Sequence, residues 1–194
     1  MPENNRINVA IFASGTGSNA QKIIDYFKPS KHINIALIVC NNPVAGVLKI
    51  GSTENIPRLL IEKEIFRSTG YIPELKKHQI DFIVLAGFLW KIPPVLIRAF
   101  SNKIINIHPA LLPAYGGKGM YGNAVHAAVI EAKEKESGIT IHFVDEIYDH
   151  GKIIFQATCA VDKNESVESL SKKVHELEHN FYAPQIEKLL SDEL

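Results

Sequence analysis

The sequence has no excess of charge of either sign. Its 21 lysines and arginines balance 21 aspartates and glutamates, so the formal net charge at pH 7 is zero. Proteins that attract nucleic acid or an anionic membrane over long range need a positive field, which this composition does not supply. We therefore expect no nucleic-acid partner, and any anion that the chain binds must be held by local groups.

Cysteine is scarce, and long hydrophobic runs are missing. The two cysteines, Cys40 and Cys159, lie in apolar stretches typical of strands, which favours buried thiols in a reducing compartment over a disulfide. The polar start, Met1–Arg6, is followed by an apolar run that is too short for a signal peptide or a membrane span. These absences predict a soluble, cytoplasmic protein that does not engage a membrane.

Over its first two thirds, the sequence alternates regularly between short apolar runs and amphipathic stretches. Three short apolar runs are typical of strands buried on both faces of a parallel sheet. They are Val9–Ala13, Ile35–Val39 and Phe82–Ala86. Amphipathic helical stretches alternate with them, at Asn19–Phe27, Ala45–Glu54, Ile72–His78 and Pro93–Phe100. This rhythm predicts an α/β fold with an open, doubly wound and mostly parallel sheet.

The last third of the sequence does not continue this alternation. A long stretch rich in proline and glycine, Pro109–Gly122, is typical of a functional loop. We predict a helix at Asn123–Lys133, and two strands, Gly138–Val144 and Ile153–Ala160, that pair in antiparallel fashion before a final helix capped by Ser166. Because the 194 residues contain no repeat or linker, we expect one domain spanning residues 1–194.

A glycine-rich loop follows the first predicted strand. In Ser14–Asn19, the backbone N–H groups of the loop and of the next helix would point into one concavity, which is typical of an anion site. Gly15 and Gly17 would let a phosphate approach the main chain, and Ser18 and Asn19 could add donors. The alternative is a tight turn that needs glycine for steric reasons alone.

The same loop could be taken for a nucleotide-binding motif. With Ala20 it fits G-x-G-x-x-A, but Val39–Pro43, at the end of the second strand, lacks the acid that a dinucleotide's ribose needs. A P-loop is excluded because no Lys-Ser or Lys-Thr pair follows the glycines. A phosphorylated small-molecule substrate therefore fits better than either nucleotide.

Two polar residues follow the predicted strand near Ile104. We expect Asn106 to end this strand and His108 to open the next loop, at the edge of the sheet where ligands bind in α/β folds. An amide donor beside an imidazole suits stabilising an oxyanion while handling a proton. Asp149 is the candidate carboxylate that fixes the imidazole's tautomer. Alternatively, His108 only caps a strand end and Asn106 fixes the turn.

Four segments together resemble the folate-dependent phosphoribosylglycinamide formyltransferases of purine synthesis. They are Ser14–Asn19, Leu85–Leu89, Asn106–Pro113 and Gly138–Gly151, and the resemblance extends over nearly the whole chain. It implies a Rossmann-like formyltransferase fold. It also implies an enzyme that moves the formyl group of 10-formyltetrahydrofolate, its co-substrate, to the amine of glycinamide ribonucleotide.

The resemblance also implies roles for individual residues. Asn106 and protonated His108 would hold the oxyanion, and Asp149 would orient the site and help proton transfer. Glu178 and His175 would join Gly15, Gly17, Ser18 and Asn19 in binding the ribonucleotide. The folate pocket would be formed by Leu89, Trp90, Lys91, Ile92, Asn106, Val144 and Asp145, with Arg67 as a loose match to an arginine that binds the folate carboxylate.

The chain departs from the family pattern at several positions. Trp90 stands where an arginine is frequent, and Gly117–Gly122 differs from a loop that commonly contains histidine. His175 replaces an amide side chain at a substrate-contact position. These departures concern the pocket walls and leave Asn106, His108 and Asp149 in place.

Other functions are compatible with parts of the sequence. Another enzyme using 10-formyltetrahydrofolate, either a deformylase or a formyltransferase for a different amine, would share the same chemistry. A silent phosphosugar-binding module would lack the catalytic trio. The segment His175–His179 fits the zinc motif H-E-x-x-H, but Pro184 and few possible third ligands follow it, so we expect no metal. The protein is expected to be a monomer or a homodimer.

Overall fold

The computed structural model describes residues 6–68 and 70–191. Most of the polar stretch Met1–Arg6 therefore lies outside the described residues. Within these ranges, no helix is both long enough and apolar enough to cross a membrane.

The first of two compact units contains the described residues up to Ile105 and those from Ala183 onward. Its complete strands are β1 (Ile7–Ala13), β2 (Ile33–Cys40), β3 (Arg58–Leu60) and β4 (Phe82–Leu85). Its complete helices are α1 (Ser18–Phe27), α2 (Gly46–Thr53), α3 (Lys63–Phe66), α4 (Ile72–Lys77) and α5 (Pro94–Ala99). The parallel pairs are β1–β2, β1–β4 and β2–β3, as the alternating pattern predicted.

The strands of this unit are buried where the sequence is most apolar. From Val9 to Ala13, no residue of β1 is more than 1 % exposed, and β4 is buried throughout. Strands covered on both faces need apolar residues at every position, which explains why they read as unbroken runs. The sequence did not predict β3 or α3, because both are short and β3 is largely exposed.

The second unit extends from Asn106 to Tyr182. It contains the end of β5 (Ile104–His108), then α6 (Asn123–Glu131), β6 (Glu136–Phe143), β7 (Ile153–Ala160) and most of α7 (Val167–Ser191). The predicted antiparallel pairing of β6 with β7 is confirmed. It requires glycine at position 138, because a Cβ atom there would lie 1.9 Å from the Ala157 carbonyl oxygen. Ser166 caps α7 as predicted, its hydroxyl accepting the Ser169 N–H at 3.1 Å.

The sheet has seven strands in the order β3-β2-β1-β4-β5-β6-β7. The predicted fold class, a doubly wound and mostly parallel sheet with antiparallel strands near the carboxyl end, is confirmed. The order reverses at β1, which lies between β2 and β4, and ligands of such sheets bind beyond the carboxyl ends of the strands at this point. The single domain over residues 1–194 stays a prediction.

Two local expectations, for β5 and for Cys159, were wrong, and α7 contains an internal proline. β5 continues through His108, so Asn106 does not end its strand and His108 does not open the loop. α7 continues through Pro184 to Ser191, although a proline inside a helix removes one backbone donor. Cys40 is buried as expected, but Cys159 is only partly buried, and both thiols are free.

Candidate active site

Steric reasons account for one glycine of the β1–α1 loop but not for the other. Gly17 has φ of 85°, and a Cβ atom there would lie 2.8 Å from the Val47 side chain. Gly15 has no atom within 4 Å of the corresponding position. The tight-turn explanation therefore holds for Gly17, whereas the open space beside Gly15 leaves its main chain approachable by a ligand.

The start of α1 provides the electrostatics that an anion needs. The first turn of α1 contains no acidic residue, so no carboxylate of that turn occupies the helix N-terminus. Ser18 and Asn19 are both partly exposed at this end. The backbone N–H groups of the first helical turn point along the helix dipole, and this end of the helix therefore favours a phosphate.

The segment after β4 is bonded directly to the glycine loop. The Ser14 hydroxyl accepts the Leu89 N–H at 2.9 Å, and the Ser14 N–H donates to the Gly87 carbonyl at 3.1 Å. The Leu89 side chain is 54 % exposed, but its backbone donor is engaged within the protein. Of the predicted folate contacts in this segment, the Leu89 N–H is thus used internally, while the Leu89 side chain is open to a ligand.

The other predicted folate residues of this unit have different surroundings. The Trp90 ring packs against Phe66 and Phe88, with ring centroids 5.9 Å and 6.3 Å away. Ile92 is 3 % exposed and Lys91 is exposed. Arg67, next to Phe66 in the chain, has its Nη1 3.4 Å from Glu64 Oε1, and both side chains are well exposed. The aromatic contact of Trp90 thus connects the segment after β4 to α3.

His108 is almost fully buried and faces two acceptors. Its Nε2 lies 2.8 Å from the Tyr115 carbonyl oxygen, and its Nδ1 lies 3.6 Å from Asp149 Oδ2. A carbonyl oxygen can only accept, so Nε2 carries a proton. When Nδ1 carries a proton as well, the ring can donate on both sides, towards the Tyr115 carbonyl and towards the Asp149 carboxylate.

His142 connects Asn106 to Asp149, and it was not among the predicted site residues. His142 Nδ1–H donates to the Phe143 carbonyl at 2.8 Å, so Nε2 accepts from the Asn106 amide at 3.2 Å. Asp149 Oδ1 lies 3.7 Å from the same nitrogen. Burial lowers the pKa of His142, which keeps the ring neutral and able to accept.

A sequence signal for His142 existed. Thr140 and His142 are polar residues two positions apart in the apolar strand β6, so they lie on the same face. Thr140 is fully buried; its hydroxyl donates to the Ala110 carbonyl at 2.7 Å and accepts the Leu112 N–H at 2.9 Å. Through these two side chains, β6 contacts the Asn106 amide and the chain that follows His108.

Asp149 is held in a left-handed backbone conformation, which is uncommon for residues other than glycine. Its φ is 54°, and its Oδ2 accepts the Gly117 N–H at 2.9 Å. A Cβ atom on Gly116 would lie 3.2 Å from the Asp149 Cβ. Gly116 and Gly117 of the Pro109–Gly122 loop thus approach this carboxylate closely.

The predicted ribonucleotide contacts on α7 form a hydrogen-bonded pair. His175 Nδ1 lies 2.8 Å from Glu178 Oε2, and this hydrogen bond raises the pKa of His175. Glu178 is 9 % exposed, and its charge also acts on the buried His126 of α6. Burial lowers the pKa of His126, although Glu178 opposes the shift. A carboxylate between two imidazoles could hold a polar substrate group.

Val144 and Asp145 follow β6, and both are partly buried. The two oxygens of Asp145 bond within their own turn, to the Ile147 N–H at 2.7 Å and to His150 Nδ1 at 2.8 Å.

The rings of the H-E-x-x-H histidines, His175 and His179, are 4.1 Å apart. Over residues 6–68 and 70–191, no three His, Cys, Asp or Glu side chains are grouped as metal ligands.

Known proteins resemble this chain over most of its length. Residues 7–186 match a family model described as formyl transferase. A phosphoribosylglycinamide formyltransferase from Bacillus subtilis is 37% identical over 187 residues, covering 93% of each chain. A chloroplastic phosphoribosylglycinamide formyltransferase from Vigna unguiculata is 41% identical over 195 residues. That match covers 97% of this chain and 62% of the relative, so the chain spans about three fifths of the plant protein's length.

Solved structures show the same architecture. A crystal structure of glycinamide ribonucleotide transformylase 1 from Geobacillus kaustophilus superposes with a TM-score of 0.87 at 36% identity, covering 95% of this chain and 99% of that chain. Phosphoribosylglycinamide formyltransferase from Anaplasma phagocytophilum gives a TM-score of 0.88 at 29% identity, with 96% and 87% coverage. The arrangement of strands and helices is therefore that of these enzymes.

Proposed function

The chain belongs to the formyl transferase family, and we propose that it transfers the formyl group of 10-formyltetrahydrofolate to the amine of glycinamide ribonucleotide in purine biosynthesis. The observation that carries this proposal is the arrangement of Asn106, His108 and Asp149. Asp149 lies within 4 Å of the His108 ring, and His142 connects it to the Asn106 amide. The names of the relatives identify the acceptor that those proteins use, and the folate donor is the one that the family resemblance implies.

Roles in ribonucleotide binding are proposed within each unit separately. In the first unit, Gly15, Gly17, Ser18 and Asn19 would bind the phosphate at the start of α1, because this helix end lacks a competing carboxylate. In the second unit, Glu178 and His175 would bind the ribose or amine end. The hydrogen bond between them keeps the carboxylate oriented before substrate arrives.

Folate-contact roles are proposed within each unit separately. In the first unit they belong to the exposed Leu89 side chain and to the main chain of Trp90, Lys91 and Ile92. In the second unit they belong to Asn106, Val144 and Asp145. Arg67 would reach the folate carboxylate only by leaving Glu64, which costs little at an exposed pair.

The reaction requires a donor for the oxyanion and a path for a proton. The amine nitrogen bonds to the formyl carbon, whose oxygen becomes negative, and the bond from that carbon to the folate N10 then breaks. Asn106 has a second amide hydrogen besides the one donated to His142, and His108 in its protonated form supplies charge. The proton that leaves the amine ends on N10, with Asp149 assisting. Such preorganised donors account for a large part of enzymatic rate enhancement.

An acceptor-dependence assay tests this proposal. Purified protein should release tetrahydrofolate from 10-formyltetrahydrofolate only when glycinamide ribonucleotide is present. Equal turnover without the acceptor would instead establish a deformylase, and phosphosugar binding without turnover would establish a silent binding module. A zinc enzyme would contain stoichiometric metal after purification without chelator.

Three further expectations stay predictions. They are a single domain, a monomeric or homodimeric state, and a cytoplasmic location. The names of two plant relatives place those proteins in chloroplasts. Sedimentation of the purified protein would distinguish monomer from dimer.

A further inference from the structure

Ser14 is bonded to two segments that come from opposite sides of β1 in the sheet. The Ser14 carbonyl accepts the Asn42 side-chain amide at 3.3 Å, beyond the end of β2. Its N–H and hydroxyl bond to Gly87 and Leu89, beyond the end of β4. The residue is only 6 % exposed, so these bonds are shielded from water. The position of Leu89 is thus tied to the first residue of the glycine loop.

The glycine loop itself is anchored independently at its next residue. The Gly15 carbonyl accepts the Val47 N–H at 3.2 Å, at the start of α2. Thr16 lies against Gly46, where a Cβ atom would be 2.8 Å from the Thr16 carbonyl oxygen. An anion bound at the loop would restrain the main chain of Gly15, which has open space beside it, and the restraint would extend to the neighbouring Ser14.

The segment after β4 is fixed at its far side by aromatic packing. Trp90 contacts Phe66 and Phe88, and Phe88 contacts Phe12 of β1 at 5.4 Å between ring centroids. Leu89 lies between this cluster and the bond to Ser14. The hydroxyl of Ser14 is the side-chain link from the glycine loop to Leu89, and it acts beside the backbone bond from the Ser14 N–H to the Gly87 carbonyl.

We propose that Ser14 is a positioning residue that couples ribonucleotide binding to folate binding. The inference rests on the proposed function, because it assigns the phosphate to the glycine loop and the folate to the segment after β4. A phosphate that orders the loop also orders Ser14 and, through the hydroxyl, the Leu89 backbone. The second ligand then meets a segment that is already ordered, so its binding loses less conformational entropy.

The coupling is measurable as a change in affinity. Tetrahydrofolate, the unreactive product, is titrated calorimetrically into the protein with and without saturating glycinamide ribonucleotide. We expect the ribonucleotide to tighten tetrahydrofolate binding by about fivefold or more, the lower range of typical coupling between sites. By linkage, tetrahydrofolate must tighten ribonucleotide binding by the same factor.

The test variant is Ser14→Ala, which removes the acceptor for Leu89 and keeps the small side chain. We expect each ligand alone to bind within about threefold of wild type, while the factor between the two falls towards one. A purely structural defect would weaken both ligands and leave the factor unchanged. Ser101→Ala, an exposed serine in the turn after α5, is the matched control and should retain the wild-type factor.

Two readouts within the wild-type protein support the test. Trp90 is the only tryptophan in the chain, so its emission reports on the segment next to Leu89. Amide hydrogen exchange at Leu89 needs no variant, and the ribonucleotide alone should slow it several-fold. This measurement decides the matter even where Ser14→Ala does not fold.

The outcomes separate this inference from the function on which it rests. Wild-type protein that binds neither ligand overturns the proposed function and the coupling with it. Protein that binds both ligands with a factor of one overturns the coupling alone. The coupling is also overturned if Ser14→Ala keeps the wild-type factor between the two ligands. It is overturned as well if the ribonucleotide does not change the exchange rate of the Leu89 amide.

Discussion

The glycine loop and the cluster of polar side chains around His108 are built in opposite ways. The loop, Ser14–Asn19, is a continuous piece of chain shaped by main-chain contacts and by the small volume of Gly17. The cluster, which we define as Asn106, His108, His142 and Asp149, brings side chains from β5, β6 and the following turn into contact. The loop should therefore be sensitive to shape, whereas the cluster should be sensitive to chemical groups.

The largest expected effect tests the chemical side of this comparison. His108→Ala removes the ring that faces Asp149 and should lower kcat by at least about 100-fold, since it removes both charge stabilisation and proton handling. Substrate binding should change little. Steady-state kinetics of tetrahydrofolate release provide the measurement.

The matched control for this variant is His150→Ala. His150 is exposed, it follows Asp149 directly, and it pairs with Asp145 rather than with the cluster. If both histidine variants lose activity equally, the loss reflects disturbance of the turn. Full activity of His108→Ala would show the proposed mechanism to be wrong.

The next effect tests the shape side. Gly17→Ala forces φ of 85° on a residue with a side chain and places its Cβ 2.8 Å from Val47. We expect the free energy of unfolding to fall by about 1–3 kcal/mol. Gly15→Ala has open space and ordinary φ, so its stability should stay within about 0.5 kcal/mol of wild type. Urea denaturation measures both, and equal losses would remove the steric explanation.

The same contrast explains what could be predicted from the sequence. Strands buried on both faces and a glycine loop at a strand end are local patterns, so β1, β2, β4 and Ser14–Asn19 were identified. The cluster depends on side chains more than 30 positions apart, as for Asn106 and His142. His142 was missed because its role comes from β6 reaching Asn106 in space, which local periodicity does not encode.

Backbone contacts were the least predictable part of the site. The Tyr115 carbonyl faces His108, and the Gly117 N–H donates to Asp149. Any residue type has a carbonyl and nearly any has an N–H, so residue identity does not reveal such partners. The sequence indicated that Pro109–Gly122 is a functional loop but could not show which of its main-chain atoms contact the cluster.

A third prediction concerns His142, the member of the cluster that accepts a hydrogen bond from the Asn106 amide. His142→Ala removes the acceptor for Asn106 and should lower kcat about tenfold, the effect of one hydrogen bond of about 1.4 kcal/mol. His142→Gln keeps a side-chain acceptor and should recover part of the loss. Kinetics and thermal unfolding of both variants distinguish lost orientation from lost stability. Equal kcat for the two would mean that the acceptor at this position does not matter.

The pH dependence of stability tests the buried imidazoles of the second unit. Burial lowers the pKa of His126, so below about pH 6.5 the unfolded chain binds a proton that the folded chain does not. Stability therefore falls as pH decreases through this window, by up to about 1.4 kcal/mol per pH unit for one group. His126→Gln should show a shallower loss between pH 7.5 and 5.5 in urea denaturation.

His175 provides the opposite sign as a control. Its pKa is raised by Glu178, so its contribution to stability is fully present below about pH 6.5 and is lost as pH rises through the folded pKa. His175→Gln should therefore make the acid-side loss steeper. Stability curves parallel to wild type for both variants would contradict these assignments.

The smallest expected effect concerns Arg67, which lies in neither the glycine loop nor the cluster. Its guanidinium pairs with Glu64 at the surface, 63 % and 84 % exposed, and such pairs contribute about 0–1 kcal/mol. If the guanidinium binds the folate carboxylate, Arg67→Ala should raise the KM for 10-formyltetrahydrofolate about two- to fivefold at low salt, with kcat unchanged. The effect should shrink at high salt, because exposed charges are screened. Lys63→Ala, an exposed cation on the same helix, should leave this KM unchanged. A loss in kcat instead would mean that the substitution disturbs the packing of Phe66 of α3 against Trp90, and with it the position of the segment after β4. This region would then depend on shape, as the glycine loop does.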